Sequence, residues 1–348
     1  MPARSWLVTG GAGFIGANVV RTLAGRGERA VVLDNLSRPT AALNVEWLAE
    51  RNELELVQAD VRDAGAVDRV FAEHGPFDLV LHLAGQVAVT TSVADPRDDF
   101  ETNVGGTFNV LDATRRLSPA ATFVNASTNK VYGRLAHHRV EERETRYADV
   151  DAPEGVAETE PLDPHSPYGC SKCAADVYTL DYARVYGLNA TSLRQSCIYG
   201  PRQFGVEDQG WVAWFATAVR LGRPLTIFGN GKQVRDLLHV DDLVALYLLV
   251  AESPERCAGN AYNVGGGPAN TLSLLELLDR LRAWRGADVE VAFTAPRTGD
   301  QPVFVADTRR ARRELGWEPG ISLDEGLDDL LAFVDEYAQR ALALLPGG

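Results

Sequence analysis

Tyr168-Gly169-Cys170-Ser171-Lys172 places a phenol and an ammonium four residues apart, so a helix through the segment sets both on one face. An unperturbed tyrosine has a pKa of about 10 and is a poor base at neutral pH. A cation held beside it favours the phenolate and brings the group into working range. Such a pair would take a proton from an alcohol and hand it back. The spacing alone is common on exposed helices. What singles it out is Ser127-Thr128-Asn129-Lys130-Val131-Tyr132, directly after the strand-like run Thr122-Phe123-Val124. A hydroxyl at the carboxyl end of that strand would hydrogen-bond the oxygen that Tyr168 deprotonates.

A second constellation binds rather than reacts. Thr9-Gly10-Gly11-Ala12-Gly13-Phe14-Ile15-Gly16 lies between strand-like Leu7-Val8-Thr9 and a helix-like stretch over 14–24. Gly10, Gly13 and Gly16 permit a tight turn, close approach to a pyrophosphate and close helix-to-strand packing, and the helix N-terminus offers unpaired amides. Asp34 ends the second strand about 20 residues further on, where a carboxylate accepts the ribose hydroxyls of an adenosine. Asp34 also repels a 2′-phosphate, which favours NAD over NADP, while Arg38 pulls the other way. Asp60-Val61, after the third strand, supplies a wall for the adenine. The expected cofactor is NAD, whose oxidised nicotinamide adds a second positive charge beside Tyr168.

These residues need a scaffold that gathers strand ends. Through the first half of the chain, strand-like runs at 30–33, 54–57 and 79–82 alternate with helix-like stretches at 43–50, 67–73 and 103–116. Strands this apolar, spaced by helices, predict a parallel sheet covered on both faces, a doubly wound α/β (Rossmann) fold with right-handed crossovers. Residues 134–164 are charged and aperiodic and read as a surface excursion; a helix over 168–186 and a strand over 190–193 return to the sheet. Beyond Gly200 the turns become frequent, which predicts a smaller α/β substrate-binding domain over the strand carboxyl ends. The expected division is 1–196 for the NAD-binding domain with the Tyr–Lys helix and 197–348 for the substrate domain, with a segment near 234–265 packing back on the first.

The chain has 348 residues, 45% hydrophobic and 24% charged, values that suit a globular protein with a sizeable core and exclude intrinsic disorder. Its 48 acidic against 34 basic residues leave a net charge of -14, which argues against nucleic acid or a membrane surface as partner. The longest apolar run, 243–251, is too short for a membrane span, and no signal-peptide core precedes the glycines. Four cysteines predict a reduced, cytoplasmic protein. Cys170 and Cys173 form a C-x-x-C without a second pair, for which packing is the expected role. His165 and His239 lack a ligand-like cluster, so no metal is expected.

Taken together, Gly10 to Gly16, Asp34-Asn35-Leu36-Ser37, Leu83-Ala84-Gly85-Gln86, Ser127 to Gly133, Tyr168 to Lys172, Arg235-Asp236-Leu237-Leu238-His239-Val240-Asp241-Asp242 and Asn263-Val264-Gly265-Gly266 span nearly the whole chain. The set resembles the extended short-chain dehydrogenase/reductases, specifically the nucleotide-sugar epimerases and dehydratases. The resemblance implies that Thr128, Tyr168 and Lys172 are the catalytic set, with Thr128 rather than Ser127 supplying the hydroxyl. It implies NAD binding by Gly10, Gly13, Phe14, Ile15, Gly16, Asp34, Asn35, Ser37, Arg38, Asp60, Val61, Leu83, Ala84, Gln86 and Asn103 together with Tyr168 and Lys172. A homodimer or homotetramer is implied as well.

Variable positions narrow the reading. The family's 4,6-dehydratases carry an Asp-Glu pair where this chain has Asn129-Lys130, and an amide with an ammonium cannot serve as acid and base for eliminating water. The UDP-galactose-type 4-epimerases usually carry asparagine where this chain has Cys197. Thr128 to Gly133, Glu144-Thr145-Arg146-Tyr147, Pro164 to Lys172, Tyr199 to Phe204 and Asp208-Gln209-Gly210-Trp211 are similar to the CDP-paratose (CDP-tyvelose) 2-epimerases. The implied reaction is redox-neutral inversion through a transient keto sugar at C2 of a CDP-activated deoxysugar, with NAD retained. The implied substrate contacts are Gln86, Asn129, Lys130, Cys197 and Gln209, with Arg235 and Arg297 on the diphosphate, where a guanidinium grips phosphate in a bidentate way. Arg202 and Lys232 are further cations for that role, and Trp211 and Trp214 read as core. Two alternatives stay open: a 4-epimerase or 4-reductase on a UDP-, GDP- or dTDP-sugar, and an NAD(P)-sensing regulatory relative. The intact Tyr168 and Lys172 oppose the second.

Overall fold

The computed structural model describes residues 3–50, 54–297 and 299–343. Residues 1–2, 51–53, 298 and 344–348 of the expected domains lie outside them. Strands and helices alternate first: β1 (Ser5–Thr9), α1 (Phe14–Gly25), β2 (Arg29–Asp34), α2 (Ala41–Ala49), β3 (Glu55–Gln58), α3 (Ala64–His74) and β4 (Leu79–His82). Two short helices, α4 (Val89–Ala94) and α5 (Pro96–Phe100), precede α6 (Gly106–Leu117) and β5 (Thr122–Thr128). The excursion carries β6 (Val140–Glu142) and β7 (Tyr147–Asp149) and leads into α7 (Ser166–Tyr186), β8 (Asn189–Gln195) and β9 (Cys197–Tyr199). Then come α8 (Trp211–Leu221), β10 (Leu225–Phe228), β11 (Val234–His239), α9 (Val240–Glu252), β12 (Ala261–Val264) and β13 (Thr271–Ser273). The last elements are α10 (Leu274–Arg285), β14 (Val291–Thr294), β15 (Val303–Phe304), α11 (Arg309–Leu315) and α12 (Leu323–Leu342).

Seven parallel strands form the main sheet in the order β12-β8-β5-β4-β1-β2-β3. The apolar runs of the sequence are explained by its two covered faces. Trp6, Val8, Val32, Leu81 and Val124 pack with Val19 and Leu23 of α1 and Leu243 and Tyr247 of α9. Leu7, Val31, Leu33, Val80 and Phe123 point the other way, against Val67 and Phe71 of α3 and Val110 and Leu111 of α6. From β1 the sheet grows through β2 on one side and β4 on the other, and this reversal opens a crevice at the carboxyl ends of the strands. No helix among the described residues is long and apolar enough to cross a membrane.

A separate core joins Val212, Phe215 and Val219 of α8, Leu277 and Leu281 of α10, and Leu330 and Val334 of α12. Small sheets accompany it: β13-β11-β15, with β9 also on β11, and β10-β14. The excursion is more ordered than its composition predicts. β6 and β7 pair as an antiparallel hairpin, and Leu135 and Val156 are buried with Val131, Tyr132, Phe304 and Ala306. Anchors this few and this unevenly spaced leave no period to read. Thr145 and Arg146 tie the excursion to the capping box of α10, donating to Glu276 Oε1 at 2.8 and 2.7 Å. Burial would raise the Glu276 carboxyl, yet the hydrogen bonds from Arg146, the Ser273 amide and Thr145 hold it at about 2.

Candidate active site

The turn from β1 to α1 is built of backbone contacts that exclude side chains. Gly10 has φ 69°, and a Cβ there would stand 2.7 Å from the Ala84 nitrogen; at Gly16 it would stand 2.5 Å from the Gly11 Cα. Only glycine fits either place. Gly13 caps α1 without a side-chain hydrogen bond, which leaves the first helical amides for a ligand. The cleft above is lined by Gly10, Gly13, Phe14, Ile15, Gly16, Asp34, Asn35, Ser37, Arg38, Asp60, Val61, Leu83, Ala84, Tyr168 and Lys172. Asp34 closes the end of β2, its oxygens accepting the Ala12 and Leu36 amides at 3.0 and 2.9 Å. Burial raises this carboxyl, opposed by the two amides and by Arg38. A glycine cradle, an uncapped helix start and a terminal carboxylate together fit a dinucleotide.

Gln86 and Asn103 stand behind the cleft rather than on its wall. Asn103 is buried; its Nδ2 donates to Gln86 O and Ser171 Oγ at 3.0 Å and to Asp99 Oδ1 at 3.1 Å. It therefore pins the loop after β4 to the Tyr–Lys helix. The Gln86 amide turns back onto Ala88, donating to its carbonyl at 2.7 Å. Gln209, expected at the sugar, hydrogen-bonds Arg38 at the coenzyme end of the cleft.

Tyr168 and Lys172 are both buried, one turn apart on α7. Ser166 opens that helix with φ 69° and Pro167 follows it; the Ser166 conformation is costly for a side-chain-bearing residue and clusters at functional sites. The Ser166 hydroxyl accepts the Gly169 amide at 3.2 Å, and Ser92 Oγ accepts the Tyr168 amide at 3.2 Å. Gly187, in the left-handed region, ends the helix. Burial pushes the Tyr168 phenol up to about 12; the Thr128 hydroxyl draws it down and Asp99 pushes it up. Burial draws Lys172 down to about 8, against Asp176 and Asp99. The sequence predicts relief of the phenol by the lysine. In this geometry burial is the largest influence on both groups, and Thr128 is the neighbour that favours phenolate.

From Thr128 a chain of polar side chains runs into the smaller layer. Thr128 Oγ1 donates to Asn129 Oδ1 at 3.2 Å, and Asn129 Nδ2 donates to Gln301 Oε1 at 3.1 Å. Lys130 Nζ donates to the same Gln301 oxygen at 3.4 Å and lies 3.6 Å from Asp300 Oδ1, which accepts from Arg235 Nη2 at 2.6 Å. Burial, then Arg235, draws Lys130 down to about 8, with Asp300 opposing. Cys197 stands in electrostatic reach of Lys130 and Arg235, and burial pushes its thiol up to about 12. It is a neutral thiol, which accepts a hydrogen bond from Trp211 Nε1 at 3.1 Å. Thr128, Asn129, Lys130, Cys197 and Arg235 are thus brought together.

The remaining cations are elsewhere. Arg297 donates to Glu207 O at 3.0 Å, pairs with Asp208 at 3.1 Å and lies over the Phe228 ring at 4.1 Å. Lys232 pairs with Glu142 at 2.7 Å. Arg202 is buried among Trp47, Phe204, Phe333 and Tyr337 and donates to Asn44 Oδ1 at 2.9 Å, closing the coenzyme end of the cleft. Trp211 and Trp214 pack against the smaller core. Cys170 is exposed and only Cys173 is half-buried, so packing does not explain the first cysteine. His239 has company that the sequence did not reveal: Asp241 and Asp329 stand beside it, its Nδ1 accepting the Asp241 amide at 3.3 Å and its Nε2 lying 3.2 Å from Asp329.

Sequence reasoning missed the support behind α7. Arg194 of β8 grips Asp176 through two bonds, at 3.1 and 2.9 Å, and both are buried. Arg194 also donates to Tyr132 Oη at 3.0 Å, which donates to Asn263 Oδ1 at 2.7 Å. Asp176 follows Lys172 by one further turn, and that i,i+4 spacing was the available signal. Gln301 and Asp300 were also missed, although they adjoin Arg297 in the sequence.

Fold and cleft define a dinucleotide-dependent α/β enzyme with a Tyr–Lys pair. Residues 6–265 match the model of the NAD dependent epimerase/dehydratase family, and the chain belongs to that family. It is 45% identical over 329 residues to a CDP-paratose 2-epimerase of Salmonella typhi, covering 93% of this chain and 97% of that protein. It is 36% identical to a dTDP-glucose 4,6-dehydratase of Streptomyces griseus, over 98% of this chain and 97% of that one. The crystal structure of a Thermus thermophilus UDP-glucose 4-epimerase in complex with NAD superposes with a TM-score of 0.79 at 33% identity, covering 95% and 99% of the two chains. The cofactor is NAD and the chain is an epimerase-type enzyme of nucleotide sugars.

Proposed function

We propose that this enzyme inverts C2 of a CDP-activated deoxysugar, passing through a ketone and retaining NAD through the cycle. The observation that carries the reading is the Asn129–Gln301–Lys130–Asp300–Arg235 chain beside Thr128, in a protein 45% identical to a CDP-paratose 2-epimerase. The cofactor supplies a place for hydride to go and return from. Tyr168 takes the hydroxyl proton and gives it back, and Thr128 orients the reacting oxygen. Lys172 brings positive charge to the coenzyme side of the phenol. Arg235 and Lys130 supply positive charge for the diphosphate of the substrate, which a chain of net charge -14 must otherwise repel. Asn129 and Gln301 offer amides to sugar hydroxyls. No carboxyl pair stands at 129–130, so the site lacks the acid and base that elimination of water requires.

A homo-oligomer accords with an exposed apolar patch on neighbouring helices: Phe100 of α5, Phe108 of α6, and Val177, Tyr178, Val185 and Tyr186 of α7. Free cysteines accord with a cytoplasmic setting. Incubation of the purified enzyme with CDP-, UDP-, GDP- and dTDP-sugars, with products read by NMR, tests the reading. The expected product is the C2 epimer of a CDP-deoxysugar without added cofactor. Inversion at C4 alone, or stoichiometric consumption of NADPH, would replace this reading with a 4-epimerase or a 4-reductase.

A further inference from the structure

The excursion between β5 and α7 holds a cluster that the chemistry of the cleft does not use. We propose that His137, His138 and Glu160 form a site for a zinc-class divalent cation, with Asp149 orienting one of the imidazoles. The ligand atoms of the first three lie within 4.8 Å of one another. His137 Nε2 is 2.6 Å from Glu160 Oε1, and His138 Nε2 is 3.5 Å from Glu160 Oε2. A tetrahedral cation with bonds of about 2.0–2.1 Å sets neighbouring ligand atoms roughly 3.4 Å apart, so occupation asks for shifts of under about 1 Å.

Three further features point to a cation rather than to an ordinary ion pair. His138 Nδ1 lies 2.6 Å from Asp149 Oδ2, and a carboxylate that holds the Nδ1 proton leaves the Nε2 lone pair facing the cluster, as in carboxylate–histidine–metal arrangements. Glu160 Oε1 is shielded from solvent, and its contact with His137 Nε2 at 2.6 Å lacks hydrogen-bond geometry, an arrangement that a cation between the two atoms would satisfy. The two imidazoles meet edge-on, with centroids 4.6 Å apart and planes at 85°. Two imidazole nitrogens with one carboxylate suit zinc and its neighbours rather than calcium or magnesium. His137 is largely exposed, so the cation has an entry path, and water completes its fourth position.

The fold says what such an ion would do. Two turns supply the ligands, closed by His138 N to Leu135 O at 3.0 Å and Glu160 N to Ala157 O at 3.1 Å. They lie at opposite ends of the excursion, and Asp149 ends its hairpin. A bound ion staples the three segments together over the small core beneath Tyr132. None of the four residues lines the cleft, so the site is structural.

Equilibrium dialysis of the full-length enzyme against zinc chloride tests this. Wild type is expected to bind one zinc per chain at micromolar concentration. His138→Ala should weaken binding at least about 100-fold, and Asp149→Asn by about 10- to 100-fold. Cobalt in place of zinc should give visible bands typical of four-coordination, absent in His138→Ala. Cys170→Ser should bind zinc as wild type does, because the exposed thiol is not a ligand. If His138→Ala does not fold, His137→Ala carries the same test. The proposal is overturned by a wild type that binds no zinc, by a histidine variant that binds it equally well, or by loss of binding in Cys170→Ser alone.

Discussion

Tyr168→Phe is expected to lower kcat by at least about 10³-fold while the variant still purifies with NAD. General acid–base catalysis contributes about 10²- to 10⁴-fold, and the phenol is placed beside the Thr128 hydroxyl. Phenylalanine keeps the ring volume, so the buried packing at this position survives. The cofactor has separate supports: the Gly10 turn packed against Ala84, the uncapped start of α1 and Asp34. None of them touches the phenol oxygen. Turnover measured beside the NAD content of the denatured protein separates the two effects. A variant that keeps a near-normal rate would remove Tyr168 from the chemistry; one that loses its NAD would show that the phenol hydroxyl chiefly builds the cofactor site.

Asp176→Ala is expected to cost about 3–5 kcal/mol of stability, because it strands a buried guanidinium. That is a large part of the roughly 5–15 kcal/mol that holds a typical domain folded. Arg194 makes both of its bonds to this carboxylate in the interior, at 3.1 and 2.9 Å, and no solvent is at hand to replace them. The loss should also reach the site, since Asp176 opposes the lowering of the Lys172 pKa by burial. Denaturant unfolding gives the first effect and the pH dependence of kcat the second. A cost below about 1 kcal/mol would mean that the pair does not anchor α7 to β8.

The difference between what was legible in the sequence and what was not is one of distance along the chain. The Gly10–Gly16 turn, Asp34 and the Tyr168–Lys172 spacing are each local, fixed within one strand–helix unit, and the cleft gathers them as expected. The parallel sheet was legible because its covered faces leave unbroken apolar runs. The contacts of Arg297 and Gln209 were not legible because their partners, Asp208 with Phe228 and Arg38, belong to other elements whose approach no local pattern encodes. The hairpin of the excursion was hidden for a related reason: it is anchored by Arg146 on Glu276 and by a few apolar residues, without periodicity. The surroundings of the phenol were not legible because burial is a property of the assembled core.

One measurement bears on the central claim most directly: conversion of a CDP-deoxysugar carrying deuterium at C2, in ordinary water and with no cofactor added. Hydrogen that leaves C2 as hydride and returns to the opposite face never meets solvent, so the epimer should keep its deuterium at C2. Washout of the label into water, or a product inverted only at C4, would contradict the account.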